Sequence, residues 1–160
     1  MRKQKSPIEQ SFEERKEKPR NILFVCEGNR NRSIGGERVF RNMLTEKGYR
    51  VFDPYSKKHQ KDYEIIVSSA GIYVNKMRNS EDGKEIAGDT RKQLNGDEAD
   101  KADIIFALDE GVKYMLVQRY VQPKEKIINL NIDDVFDIDN DEHKLIKLLR
   151  EKLAIYIPLP

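Results

Sequence analysis

The sequence predicts an α/β fold in which helices cover both faces of a parallel sheet. Two observations support this prediction. Short apolar runs alternate with amphipathic or polar stretches along the chain, and each apolar run is continuous rather than alternating with polar residues. Strands buried on both faces show such runs and belong to parallel sheets with crossover helices. Because ligands of these sheets bind beside the carboxyl ends of the strands, the loops that follow strands are the places to look for a site.

Four short apolar runs predict the strands. Each is rich in isoleucine, leucine, valine or phenylalanine, as expected for a strand covered on both faces. The predicted strands cover residues 21–25, 64–68, 103–108 and 126–130.

Four stretches between and after these runs predict the helices. The first covers residues 33–47, has apolar residues at helical spacing and ends at Gly48, a residue suited to a helix C-terminus. The last covers residues 141–156 and carries an apolar stripe. The other two predicted helices cover residues 82–94 and 110–121.

The charge distribution separates the N-terminus from the rest of the chain. Residues 1–20 contain seven Lys or Arg and four Glu, whereas the remaining residues contain 23 basic and 24 acidic side chains. We therefore expect a charged extension over residues 1–20 and a single domain over residues 21–160. A nucleic-acid partner is not expected, because the basic charge is not on the domain. No apolar run is long enough for a membrane span or a secretory signal, which predicts a cytoplasmic protein.

Cysteine and histidine are too sparse to suggest a metal site. Cys26 is the single cysteine, so neither an intramolecular disulfide nor a multi-cysteine site can form. His59 and His143 are far apart in sequence. No metal and no cofactor are expected.

The loop after the first strand carries the groups that hold an oxyanion. It links a buried strand to a helix N-terminus, where unpaired N–H groups and the positive end of the dipole bind anions and favour the thiolate of a cysteine. Gly28 and Asn29 allow the tight or left-handed backbone that such a loop needs. Arg32 can hold two phosphate oxygens with its planar fork. Ser33 can cap the helix and donate a hydrogen bond to the sulfur.

These residues predict a nucleophile, Cys26, within a phosphate loop that we define as residues 26–33. The alternative is an inert buried cysteine followed by an ordinary capped helix. The placement of residues 26–33 between a buried strand and a helix favours a phosphate loop over an inert cysteine. The predicted phosphate-binding residues are Glu27, Gly28, Asn29, Arg30, Asn31, Arg32 and Ser33.

The phosphate loop resembles the signature of the low-molecular-weight protein tyrosine phosphatases, and the likeness covers about residues 21–155. Ser69-Ala70-Gly71, the segment 90–94 and the segment 102–109, which ends in Asp109, resemble further family segments. The resemblance implies three layers, α/β/α, around a four-stranded parallel sheet. It also implies that phosphorylated proteins or small phosphomonoesters are the substrates. The loop does not fix which of these is preferred, because a related group of phosphoserine phosphatases shares it.

The chain departs from the family pattern at two places. Asn31 replaces the second cysteine that family members often carry, so disulfide protection of the nucleophile is not expected. Gly35 and Gly36 stand where the family has better helix formers, and the sequence offers no functional reason for them.

The resemblance also implies a general acid, an aspartate in an Asp-Pro-Tyr motif late in the chain. Asp134-Val135-Phe136, after the fourth predicted strand, matches that motif best, with Asp133 as second candidate. Asp53 is the third candidate. Asp53-Pro54-Tyr55 matches the motif literally but precedes the second strand, and Asp-Pro is a common turn. An acidic loop with no catalytic role remains the alternative for Asp133 and Asp134.

The predicted function is hydrolysis of a phosphomonoester through a phosphocysteine on Cys26, with Arg32 binding the phosphate and Asp134 as the acid. Phosphotyrosine proteins are the first candidate substrates. A non-catalytic module that binds phosphoproteins, and an arsenate reductase that uses external thiols, are the alternatives. The sequence predicts no oligomeric state.

Overall fold

Four parallel strands form the central sheet. A computed structural model describes residues 18–29, 31–76, 91–133 and 138–159, and these contain β1 (Arg20–Cys26), β2 (Ile65–Gly71), β3 (Ile104–Ala107) and β4 (Ile127–Asn129). The strand order is β2-β1-β3-β4, and every pairing is parallel. The predicted sheet is therefore confirmed, with strand ends shifted by one to three residues.

The described helices are α1 (Arg32–Glu46), α2 (Gly96–Lys101), α3 (Glu110–Gln118) and α4 (Ile138–Leu153). Three of them confirm predicted helices. The fourth, α2, is not among the predicted helices; it is a short polar helix whose N-cap, Asn95, accepts a hydrogen bond from the Glu98 N–H.

The predicted helix over residues 82–94 lies outside the described residues as far as residue 90, and its last residues are not helical. The Gly71 N–H donates to the Lys92 carbonyl (2.8 Å), and the Leu94 N–H donates to the Gly71 carbonyl (2.8 Å). Because these backbone groups pair with the end of β2, residues 91–94 are extended rather than helical.

Two cores lie on opposite faces of the sheet. Alternate side chains of β1 point to each: Ile22 and Phe24 join the core under α1 and α4, whereas Leu23 and Val25 join the core with α2 and α3. The sheet thus lies between a layer formed by α1 and α4 and a layer formed by α2 and α3, which is the predicted α/β/α arrangement. None of the described helices has the length and apolar character needed to cross a membrane.

The parallel register brings the carboxyl ends of the strands to one edge. Cys26 pairs with Gly71, Val25 with Ala107, and Ala107 with Asn129. The loop after β1 therefore lies beside the residues that follow the other three strands, which is where a site is expected.

The two glycines of α1 have a packing role. A Cβ atom at Gly36 would overlap the ring of Phe24, and one at Gly35 would lie 3.3 Å from Leu149 Cδ1 on α4. Phe24 is fully buried and stacks on Phe106 with ring centroids 4.9 Å apart. Gly36 thus allows α1 to approach the sheet closely, directly behind the phosphate loop.

Replacing Gly36 with alanine should lower the free energy of unfolding by about 1–3 kcal/mol, because the added methyl group overpacks the core against Phe24. Urea denaturation would measure this loss. The matched control is Gly96→Ala in the first turn of α2, where an added Cβ meets nothing within 4 Å, so stability should be unchanged or higher. Equal stability of wild type and Gly36→Ala would contradict this account.

Candidate active site

The sulfur of Cys26 lies at the base of a tight turn between β1 and α1. Cys26 is the last residue of β1 and is 3% exposed. Its Sγ atom is 2.9 Å from Ser33 Oγ and accepts a hydrogen bond from the Asn29 N–H at 3.2 Å. A thiolate at this position would be stabilised by both groups.

Ser33 does not cap α1, contrary to one of its two predicted roles. The N-cap is Asn31, which makes no side-chain capping hydrogen bond, and the helix begins at Arg32. Ser33 lies inside the first turn, and its hydroxyl contacts Cys26 and Asn29 instead. The predicted contact between Ser33 and the sulfur is present.

The side chain of Asn29 joins three segments of the chain. Its backbone φ is 48°, the left-handed geometry anticipated for this residue. Its Nδ2 group donates to Ser33 Oγ (2.9 Å) and to Ser69 Oγ (3.0 Å), while its Oδ1 atom accepts from the Lys92 N–H (2.8 Å). In the sequence, Ser69 stands out only as part of a family-like motif, and no sequence pattern indicates its hydrogen bond to Asn29.

Gly71 is required where the end of β2 meets the phosphate loop. A Cβ atom at this residue would lie 2.6 Å from the Asn29 nitrogen and 2.8 Å from the Glu27 carbonyl oxygen. Backbone hydrogen bonds from Ile72 N to the Cys26 carbonyl (3.0 Å) and from Tyr73 N to the Glu27 carbonyl (2.8 Å) continue this contact. On the β2 side, the loop is therefore held by backbone hydrogen bonds as well as by the side chain of Asn29.

Arg32 is buried and held from the side of β3 and β4. Its side chain is 2% exposed, and its Nη1 group donates to Asp109 Oδ2 and to the Ile132 carbonyl, both at 2.7 Å. Asp109 also caps α3, since its Oδ1 atom accepts from the Val112 N–H at 2.9 Å. In the sequence, Asp109 stands out only as the end of a family-like strand. Its position at the carboxyl end of a predicted strand and the start of a predicted helix is the sequence signal that could have indicated a place in the site.

The remaining predicted phosphate-binding residues are placed as follows. Glu27 is exposed, Gly28 is buried and Asn31 is half-buried. Arg30 lies outside the described residues. Within the described part of the chain, no three His, Cys, Asp or Glu side chains are grouped so that they could hold a metal ion.

Of the three candidate acids, Asp133 alone is near the phosphate loop among the described residues. It is exposed and follows Ile132, whose carbonyl contacts Arg32. Asp134, the preferred candidate, lies outside the described residues, as does Phe136.

Asp53 is at the opposite edge of the sheet, which rules it out as the acid. Val51 bridges to Ile65, the first residue of β2, whereas Cys26 pairs with Gly71, six residues and about 20 Å along that strand. The Asp53 carboxylate accepts a hydrogen bond from the Tyr55 N–H (2.9 Å), so the motif forms a turn. Asp53 also lines a cavity of about 510 Å³ with Arg38 and Thr45.

Taken together, the geometry places a hydrogen-bonded cysteine sulfur and a buried, oriented arginine at the two ends of one loop at a helix N-terminus. Such a loop can bind a phosphoryl group and present a nucleophile to it.

The comparisons with known proteins agree with this geometry. The family model described as low molecular weight phosphotyrosine protein phosphatase matches residues 21–147. No curated protein sequence gives a significant match.

Three solved structures illustrate the similarity in fold. Wzb from Vibrio vulnificus, in complex with benzylphosphonate, has a TM-score of 0.62 at 20% identity, covering 86% of this chain and 96% of that one. The low molecular weight protein tyrosine phosphatase from T. tengcongensis has a TM-score of 0.57 at 20% identity, covering 86% and 99%. The YwlE arginine phosphatase from Geobacillus stearothermophilus has a TM-score of 0.52 at 25% identity, covering 87% and 93%.

The matching family model covers most of the chain, including the phosphate loop, β1 from its second residue, β2 to β4 and the start of α4. On this basis the chain belongs to the low molecular weight phosphotyrosine protein phosphatase family and is a cysteine-based phosphatase, a hydrolase.

Proposed function

We propose that this enzyme hydrolyses phosphomonoesters, with phosphotyrosine proteins as its substrates, and that Cys26 forms a phosphocysteine intermediate. The observation that carries the proposal is the Cys26 sulfur, which contacts Ser33 Oγ (2.9 Å) and the Asn29 N–H (3.2 Å). These two groups stabilise a thiolate both as the attacking group and as the leaving group.

In the first step the Cys26 thiolate attacks phosphorus from the side opposite the ester oxygen. The S–P bond forms as the P–O bond breaks, and the leaving oxygen takes its proton from an acid, for which Asp134 is proposed and Asp133 is the second candidate. In the second step the same carboxylate removes a proton from water, the water oxygen attacks phosphorus, and the S–P bond breaks to return the thiolate.

Arg32 is proposed to bind two of the phosphoryl oxygens together with the backbone N–H groups of the phosphate loop. A guanidinium is suited to this because its planar fork matches two oxygens. The proposal is supported by the bonds of its Nη1 group to Asp109 and the Ile132 carbonyl, which restrict its orientation. Asp109 is thus proposed as a positioning residue for Arg32.

The proposed phosphate-binding set remains residues 27–33. The proposed domain remains residues 21–160 with a charged extension over residues 1–20, although β1 begins one residue before this boundary, at Arg20. The proposed domain extends beyond the end of the family match, because Leu149 and Leu153 are buried in the core under α1 and Leu159 packs against that core. We further propose a cytoplasmic location, because a catalytic thiolate needs a compartment that keeps cysteine reduced.

The preferred substrate class can be tested by an assay of several phosphorylated peptides. Phosphotyrosine, phosphoserine and phosphoarginine peptides should be compared, the last because the Geobacillus stearothermophilus relative is named an arginine phosphatase. We expect phosphotyrosine to give the highest kcat/KM.

Changing Cys26 to serine should lower hydrolysis of p-nitrophenyl phosphate at least about a thousandfold, because the nucleophile is lost. The assay should contain EDTA and no added thiol. Turnover close to that of wild type would refute the cysteine mechanism. A wild type that binds vanadate but shows no turnover would instead favour the non-catalytic module, and thiol-dependent turnover of arsenate would favour the reductase.

Changing Asp134 to asparagine should lower kcat on phenyl phosphate by about 10²–10⁴, because this poor leaving group depends on a proton donor. Asp133→Asn tests the second candidate, and Asp53→Asn is the control at the far edge of the sheet. Full activity in Asp134→Asn together with a large loss in Asp133→Asn would reassign the acid.

The left-handed backbone and the side-chain bonds of Asn29 can be separated by two variants. Asn29→Gly keeps a φ of 48° without strain but removes three side-chain hydrogen bonds, and Asn29→Ala adds roughly 1 kcal/mol of backbone strain. Both should lose about tenfold or more in kcat/KM, since each lost bond contributes about 0.5–1.5 kcal/mol to the loop. Alanine should also unfold at lower urea. Full activity of Asn29→Gly would show that the bonds are dispensable.

A further inference from the structure

Three successive carbonyl groups after β4 are each bound by a cationic side chain. The Leu130 and Asn131 carbonyls accept hydrogen bonds from Lys152 Nζ, at 2.8 Å and 3.1 Å. The next carbonyl, that of Ile132, accepts from Arg32 Nη1 at 2.7 Å. Lys152 of α4 and Arg32 of the phosphate loop therefore donate hydrogen bonds to adjacent peptide groups of one segment, residues 130–132.

The N–H groups of the same segment are also bonded. Leu130 N donates to the Ala107 carbonyl (2.8 Å), and Ile132 N donates to the Leu108 carbonyl (2.7 Å). Between them, Asn131 N donates to Asn129 Oδ1 (2.8 Å), and Asn131 has a φ of 58°. This left-handed residue turns the chain, so the direction of the Ile132 carbonyl depends on how the two preceding peptides are held.

The part of α4 that carries Lys152 is fixed by packing in the core. Leu149 and Leu153, on either side of it in α4, are fully buried in the core, and α4 packs on α1, which carries Arg32. A lysine ammonium has three donors and no acceptor, so it can bind two carbonyl oxygens at once. Loss of this group would leave two carbonyls without their charged partner, and the turn at Asn131 would be held by its N–H hydrogen bonds alone.

We propose that Lys152 is a positioning residue for Arg32: by binding the carbonyls of residues 130 and 131, it orients the Ile132 carbonyl that holds the guanidinium at the phosphate site. This inference rests on the proposed function only in taking Arg32 as the phosphate-binding group. Lys152 acts through the peptide backbone and has no contact with the substrate in this scheme.

The test measures oxyanion binding, which does not require turnover. Inorganic phosphate is titrated calorimetrically into the full chain, and vanadate inhibition is measured in parallel. Lys152→Met, which keeps the length and removes the charge, should weaken phosphate binding by about tenfold. Lys152→Arg retains a cation with several donors and should restore most of the affinity.

Two controls separate positioning from a loss of charge or of stability. Lys147→Met removes one positive charge from an exposed position on α4 and should change phosphate affinity less than twofold. In an Arg32→Ala background, Lys152→Met should have no further effect on phosphate affinity, because the group it positions is absent. A general electrostatic or folding effect would lower affinity in both backgrounds.

The outcomes are distinct. Tight phosphate binding by wild type with unchanged affinity in Lys152→Met, or additive losses in the Arg32→Ala background, would overturn the role of Lys152 and leave the proposed function intact. Failure of wild type to bind either oxyanion would contradict the proposed function, and the inference with it. If Lys152→Met does not fold, Lys152→Leu, which is neutral and has no donor, gives the same comparison in both backgrounds.

Discussion

The buried guanidinium of Arg32 links the elements of the site. A charged side chain that is 2% exposed is costly unless it is paired and hydrogen-bonded, and Arg32 meets this requirement through Asp109 and the Ile132 carbonyl. These partners follow β3 and β4, whereas Arg32 itself begins the helix after β1. The requirement to satisfy one charge therefore draws three strand ends together. The same constraint aligns the guanidinium with the loop that carries Cys26.

The fourth strand end is joined through polar and steric contacts instead of charge. Asn29 reaches Ser69 of β2 and the Lys92 backbone, and Gly71 lets the β2 backbone approach the phosphate loop to a distance that any side chain would prevent. Gly36 has a similar effect on the other side, since it lets α1 lie against Phe24. The phosphate loop is thus held by close packing and by hydrogen bonds from several directions, which is how preorganised sites are built.

Local patterns were reliable where neighbours along the chain decide the structure. Continuous apolar runs predicted the strands because both faces of the sheet are covered, and the strand–loop–helix order predicted the turn at Cys26. The misses have physical causes. Residues 91–94 pair with Gly71, so backbone hydrogen bonds across the sheet prevent a helix there. Ser33 was expected to cap α1, but its hydroxyl contacts the sulfur, a group that the capping pattern does not take into account.

The sequence by itself predicted the parallel α/β sheet and the place of the phosphate loop, and it placed at residue 29 a side chain that tolerates left-handed geometry, because these depend on residue type and order over a few positions. Only the tertiary structure decided the distant partners of Asn29, which lie 40 and 63 residues away in the chain, and those of Arg32, which lie 77 and 100 residues away. It also placed Asp53 at the far edge of the sheet and gave Gly36 its packing role. The physical reason is that strand register, which brings distant residues to one edge, is set by how the whole sheet and its covering helices pack.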